Sequence, residues 1–282
     1  MTAAALPEPP EILYHYTTAE GAYGILTSRT LWCTHLAYTN DSKEVELTLD
    51  FLRHYVKQEL WRDATGPRKQ ALERLQTHLQ ESGSFFHSAE QFALSLSGNG
   101  DLLSQWRAYC PSGGYSLGFD TALMRRAAQK HGFLLRRCIY DEKVLFSHVQ
   151  QVLEAELQKW QGFMPGDSAG FSLGLQVVPP VMKEAALFKH KSFKEEDEWR
   201  LISIPTGELF HSRAKVRATR GHLVPYLELP LDEIGDKGIP RFFAGPNRFG
   251  AGSAVPPMNI LLRNSGFVAC EGTSSSTPFR SI

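Results

Sequence analysis

Short segments of strand-like alternation, set among amphipathic helices in no regular order, constrain this chain most. Strand candidates are the opening run Ile12 to Thr17, then Gln91 to Ser97, Tyr115 to Phe119, Leu134 to Tyr140, Glu196 to Ile204, Leu223 to Leu229 and Ile239 to Ala244. Helical spacing recurs in Val45, Leu49, Leu52, Val56 and Leu60, and in Leu72, Leu75 and Leu79 beyond the Gly66-Pro67 break. Asp41-Ser-Lys-Glu44 reads as a capping box that starts the first of these helices. Asp101 is placed to cap a helix over Leu102 to Tyr109 after the Gly98-Asn99-Gly100 stop. Helices are also expected over Ala122 to Lys130, ending near Gly132, over Val144 to Trp160 with Val149, Val152, Leu153 and Leu157 on one face, and over Val255 to Arg263 before a closing strand. No regular strand-helix-strand repeat runs through this order, so the expected class is α+β with a mixed or antiparallel β core.

A chain of 282 residues that is 42% hydrophobic can bury a large core, and a single domain over 1–282 is expected. Within it, 1–10 should be frayed, 44–85 should form a helical pair, and 120–190 should be a largely helical insertion. Basic and acidic side chains balance at 30 each, which removes a global field for nucleic acid or an anionic membrane but leaves room for a local basic cleft. Cys33, Cys110, Cys138 and Cys270 are far apart and form no CxxC, which speaks against a structural metal site and a disulfide scaffold. The first ten residues lack a basic flank and an apolar run suited to export, and no later run approaches membrane-spanning length. A soluble, cytoplasmic protein with no metal and no membrane partner is the expectation.

Common nucleotide and hydrolase signatures are missing: the sequence has no GxGxxG after a strand, no GxxxxGK[ST], no HExxH and no GxSxG. Gly245-Pro-Asn-Arg-Phe-Gly250-Ala-Gly252 follows a strand and precedes a helix, where backbone donors can hold a phosphate, although ordinary turns use the same residues. In the opening strand Ile12, Tyr14 and Tyr16 alternate with Leu13, His15 and Thr17, so His15 stands on a face that can line a cleft or a core. In a strand over Glu196 to Ile204, Glu196, Glu198 and Arg200 share one face while Trp199 and Leu201 take the other. That face is either a solvated charge run or a carboxylate pair at a cleft, kept ionised by Arg200.

Taken together, Tyr14-His15-Tyr16-Thr17, the Asn40-Asp41-x-x-Glu44 step, Asp101-x-x-Ser104-Gln105-Trp106-x-x-Tyr109, Phe193-x-x-Glu196-x-Glu198-Trp199-Arg200 and the terminal Pro278-Phe279-Arg280 closely resemble the bacterial family called domain of unknown function 2971. The resemblance covers nearly the whole chain. At one remove the pattern is similar to the ADP-ribosyltransferase superfamily, whose members use a first-strand His or Arg, a second-strand Ser or Tyr motif and a late-strand Glu. His15, Ser95-Leu96-Ser97 and Glu196-Asp197-Glu198 stand in that order, with Tyr109 or Tyr16 as an alternative second element.

This resemblance implies an enzyme that consumes NAD as its substrate and passes ADP-ribose to a protein or nucleic-acid acceptor, as a toxin or defence effector does. It implies Glu198 as the carboxylate that stabilises positive charge developing on the ribose, His15 holding a second ribose, and Glu196 orienting the acceptor. Ser95, Ser97 and Thr17 would support the site, and Tyr16, Trp106 or Tyr109 would stack on nicotinamide. Arg107, Arg200 and Arg280 would meet the pyrophosphate. Core packing is the ordinary alternative for Trp106. The competing readings are a non-catalytic nucleotide or ADP-ribose-binding module and a toxin that acts on nucleic acid without NAD.

Overall fold

The computed structural model describes residues 8–39, 42–62, 65–81, 91–159, 177, 180–204, 213–219 and 221–277. The class is α+β with a mixed sheet. Asn40, Asp41, Trp160 and Pro278-Phe279-Arg280 lie outside the described residues, and with them the expected capping box and the terminal motif.

Strand β1 (Ile12–Thr17) pairs along its whole length with β4 (Tyr115–Asp120), from Ile12 opposite Asp120 to Thr17 opposite Tyr115. Beyond β4 come β9 (Arg241–Ala244), antiparallel, and β10 (Glu271–Ser274), parallel to β9. A second group joins β2 (Thr30–His35) to β8 (Leu223–Pro230) and β8 to the short edge strand β7 (Lys215–Ala218). A third runs from β5 (Phe133–Arg137) through β6 (Glu198–Ser203) to β3 (Phe92–Ser97). These groups meet on β3. One edge of β3 pairs with β6; its other edge takes β1 at Tyr14 opposite Ser97 and β2 at Thr34 and His35 opposite Ala93 and Phe92. Holding opposite ends of one short edge, β1 and β2 splay apart.

Helix α1 (Ala19–Ser28) links β1 to β2. Thr18 caps it by accepting the Gly21 amide at 3.1 Å, and Ala22 and Leu26 turn into the main core with Leu13, Leu31, Leu117, Phe119 and Leu201. A Cβ on Gly21 would stand 2.0 Å from Thr17 Oγ1, so glycine here leaves the Thr17 hydroxyl room that a larger residue would take. The helical pair, α2 (Ser42–Trp61) and α3 (Gly66–Glu81), builds a separate core: Leu52, Val56, Leu72, Leu75 and Leu79 pack with Val149, Leu153 and Leu157 of the helix Glu142–Gln158. A small apolar cluster of Leu36, Ala93, Ala186, Leu187 and Ile202 joins that core to the sheet.

Several boundaries differ from the sequence reading for definite reasons. The strand expected from Glu196 begins at Glu198, because Lys191–Glu196 winds into a 3-10 turn that Asp197 ends in the left-handed conformation, φ 40°. The strand expected to reach Tyr140 stops at Arg137, and Ile139 makes only an isolated bridge to Phe188. Strand β5 lies inside the stretch expected to be largely helical. Helix α1 carries two glycines and β7 is four mostly exposed residues, so neither stands out by pattern.

Asp101 does not cap the following helix, here α4 (Leu103–Tyr109), whose N-cap Leu102 makes no side-chain cap bond. Its carboxylate accepts instead from Trp106 Nε1 at 2.8 Å, Ser275 Oγ at 2.5 Å and Ser276 N at 2.8 Å, tying α4 to the segment after β10. Burial raises the Asp101 pKa, but these donors outweigh it and hold the carboxyl below its ordinary value. Asp101→Ala should therefore leave a fully buried Trp106 indole N–H without its acceptor and cost about 2–3 kcal/mol in chemical denaturation, with Asp101→Asn losing less.

Candidate functional site

Where β1 leaves β3, the ladder is broken and a side chain takes its place. His15 Nδ1 lies 3.0 Å from the Ser95 carbonyl. A carbonyl only accepts, so Nδ1 carries the hydrogen and a neutral ring presents Nε2 as an acceptor. Burial lowers the His15 pKa and the bond to Ser95 offsets it only in part, so the ring is neutral near physiological pH.

The gap between the splayed strands is a cleft of about 470 Å³. His15 and Thr17 line it from β1, Trp32 and Thr34 from β2, Ala93 to Ser95 form its floor, and Glu20 and Gly21 come from α1. Trp32, Tyr38 and Tyr109 all line it and are each about two-fifths exposed, at 41%, 40% and 38%. A second, small pocket of about 40 Å³ adjoins it, sharing His15, Ser95 and Tyr109 with the cleft and lined also by Tyr16, Ser97, Glu196 and Glu198.

The two carboxylates do not share a strand face as the sequence suggests. Glu196 ends the 3-10 turn and Glu198 starts β6, and the left-handed Asp197 between them turns both carboxylates onto one ammonium. Aspartate tolerates this conformation better than most side chains. Lys189 Nζ lies 2.6 Å from Glu196 Oε2 and 2.5 Å from Glu198 Oε2. Arg200 Nε meets Glu198 Oε1 at 2.8 Å and its Nη1 donates to the Ala186 carbonyl at 2.6 Å. All four side chains are buried, and their charges balance. Burial pushes the Glu198 pKa up, yet Arg200 and Lys189 outweigh it and hold the carboxyl at about 2. Burial opposes the charge on Lys189 too, and attraction to Glu198 overcomes it, so the ammonium titrates above its ordinary value.

Of the residues singled out from sequence, His15, Thr17, Ser95 and Tyr109 line the cleft, and Tyr16, Ser97, Glu196 and Glu198 line the small pocket beside it. Ser97 is spent on a turn: its Oγ donates to the Glu196 carbonyl at 2.7 Å and accepts from Asn99 N at 3.1 Å. Tyr16 is also committed, its hydroxyl donating to the Asn99 carbonyl at 2.8 Å while accepting from Leu102 N at 2.9 Å. Trp106 is not a stacking surface. It is wholly buried in a small core with Tyr14, Tyr16 and Cys110, edge-on to Tyr16 at 4.7 Å.

Arg107 is exposed on α4 and does not line the cleft, and Arg280 lies outside the described residues. Arg200 stands where it keeps Glu198 ionised and cannot also reach a pyrophosphate in the cleft. The glycine-rich segment from Gly245 lines a separate groove with Thr18, Ser112 and Tyr115. Sequence reasoning missed Lys189, Trp32, Tyr38 and Arg217. Lys189 gives no signal, since a lysine before a charge run reads as surface. Among the described residues, no group of three or more His, Cys, Asp or Glu is placed to hold a metal ion, and no helix is long and apolar enough to cross a membrane.

Lys189→Met would leave two buried carboxylates facing each other with one cation between them. It should cost about 3–5 kcal/mol in urea denaturation, and adding Glu196→Gln should recover much of the loss. Acid acts on the same cluster. The Glu198 carboxyl sits at about 2 when folded against an ordinary 4.5, so its contribution is complete above about pH 4.5 and is lost as pH falls through about 2. Denaturation midpoints followed from neutral pH downward should show a loss on the order of 3 kcal/mol in that window, and Glu198→Gln should flatten it.

Residues 105–201 match the family described as protein of unknown function (DUF2971). The match is less than half of the chain and runs from α4 to β6, so it takes in Tyr109, Lys189, Glu196, Glu198 and Arg200 but not His15. No curated protein and no solved structure matches the chain.

Proposed function

We propose that the protein is an NAD-consuming enzyme of ADP-ribosyltransferase type. Its reaction breaks the bond between nicotinamide and ribose and passes ADP-ribose to a protein or nucleic-acid nucleophile, or to water. The observation that carries this reading is an ionised Glu198 in a small pocket that shares a neutral His15 with the adjoining cleft. The cleft, about 470 Å³, falls in the range of roughly 300–1,000 Å³ that suits a small organic ligand.

In the proposed step the glycosidic C–N bond breaks with its electron pair leaving on nicotinamide, and the acceptor attacks the ribose carbon and gives up a proton. Positive charge develops on the sugar, and a fixed carboxylate stabilises it most in the transition state. Glu198 is ionised at any neutral pH and is the residue for that role. His15 Nε2, an acceptor by the tautomer argument, suits a ribose hydroxyl. Tyr109 borders both the cleft and the small pocket beside it, and supplies a flat surface beside the reacting end. Glu196 shares Lys189 with Glu198 and is the second carboxylate within reach of an acceptor.

A non-catalytic nucleotide or ADP-ribose-binding module is the second reading, and one observation favours it. Both oxygens of Glu198 are engaged by cations, Oε1 by Arg200 and Oε2 by Lys189, which blunts the field that the carboxylate can offer a sugar. Nicotinamide release from NAD, with and without cell lysate, decides between them. The parent should release nicotinamide, and Glu198→Gln should slow release by about 10²–10³-fold while thermal melting confirms a folded chain. Release at the parental rate from the variant removes Glu198 from catalysis. Tight ADP-ribose binding by a parent that releases nothing establishes the binding module.

A further inference from the structure

Arginine side chains near the cleft were expected to meet a pyrophosphate, and the one that lines it is Arg217. It projects from edge strand β7 across β8 toward β2, donates one N–H to Thr34 Oγ1 at 3.0 Å, and lies 5.6 Å from the Trp32 ring and 6.0 Å from that of Tyr226. Trp32 and Tyr226 stack on each other at 4.5 Å, so the guanidinium is held against an aromatic wall. It is half-buried, and among the described residues no carboxylate pairs with it.

Several other sheltered cations are compensated: Lys189 and Arg200 by Glu198, Arg68 by Glu59 and Glu154, and Arg29 by Asp232. Carboxylates near Arg217 are committed elsewhere. Glu228 on β8 takes Lys215 at 2.7 Å, and Glu20, across the cleft, is drawn onto its own backbone amide and Thr18 at the start of α1. A half-buried guanidinium with most of its donor fork unspent, facing a cleft of ligand size, is arranged for an anion brought by the ligand.

We propose that Arg217 binds the phosphate groups of a nucleotide-type ligand in this cleft, with Trp32 and Tyr38 forming the aromatic wall beside it. The inference deepens the reading above and rests on it only for the identity of the ligand as a dinucleotide. Phosphate at Arg217 would set one end of the ligand against β2 and β7 and leave its other end toward His15 and the small adjoining pocket. A phosphorylated, ring-bearing ligand is therefore favoured over an uncharged nucleoside.

Calorimetric titration of the whole chain with ADP-ribose, adenosine and inorganic pyrophosphate tests this. Arg217→Gln should weaken ADP-ribose and pyrophosphate by at least about tenfold and leave adenosine within about twofold, with Arg217→Lys in between because it keeps charge and loses the fork. Arg217 sits on an edge strand and its side chain makes one hydrogen bond among the described residues, and equal melting temperatures would show that the variants are folded. The proposal is overturned if pyrophosphate and ADP-ribose bind Arg217→Gln as tightly as the parent, or if the parent binds adenosine as well as ADP-ribose. The two readings separate cleanly. Pyrophosphate binding lost in Arg217→Gln, beside a parent that never releases nicotinamide, keeps the anion site and removes the transferase. Nicotinamide release with unchanged KM in Arg217→Gln does the reverse.

Discussion

One short strand edge organises the molecule. Strand β3 offers a single free edge of six residues, and two antiparallel strands claim it from opposite ends. Neither can extend its ladder without displacing the other, so the backbone groups between the two contacts need other partners. His15 supplies one for the Ser95 carbonyl. The imidazole thus serves first to complete the sheet, and the same bond fixes its tautomer and aims the other nitrogen into the space that the sheet leaves open. The cleft follows from the register itself, with α1 packed beside β1 and the other edge of β3 held by β6.

The buried charge cluster is the second consequence of that geometry. Strand β6 lies between β3 and β5 with every residue buried, including Glu198 and Arg200, so it must satisfy ionised groups away from water. A lysine from the neighbouring segment and a carboxylate from the preceding turn bring the local charge to balance. Such a cluster is a poor source of stability compared with apolar packing, since desolvation offsets much of the attraction. It is a good means of keeping a carboxylate ionised at a fixed point. Without Arg200 and Lys189, burial alone would push the Glu198 carboxyl up toward its neutral form.

The sequence made the class and most elements legible because alternation and helical spacing are local properties. Leu52, Val56, Leu72, Leu75 and Leu79 face a core as their spacing required, and Trp199 and Leu201 turn to the main core opposite Glu198 and Arg200. Less legible was whatever depends on who pairs with whom. The splayed edge follows from long-range register, Lys189 joins the cluster only through the turn at Asp197, and Arg217 reaches the cleft across two strands. Trp106 is a related case. Its aromatic face read as a stacking surface or, with a slight preference, as a core anchor, and its full burial and the Asp101 bond to its indole nitrogen place it in the core.

Charge around the cleft then follows a pattern that none of these residues creates alone. In the small adjoining pocket the cluster is balanced and Glu198 is screened by two cations; His15, shared with the cleft, is neutral; Arg217 on the cleft wall is a cation with no carboxylate partner among the described residues. An anionic ligand in this cleft gains from Arg217 and meets one carboxylate on the lining, Glu20, which is drawn onto the start of α1. Screening of Glu198 has the opposite effect on a positively charged ligand, which gains little in its ground state. The same two cations act on any positive charge near Glu198 whenever it appears, so the cluster fixes the position and ionisation of that carboxylate while reducing its field. The charge that a ligand brings to this cleft is therefore weighed mainly at Arg217, whose guanidinium has no such neighbour tied to it among the described residues.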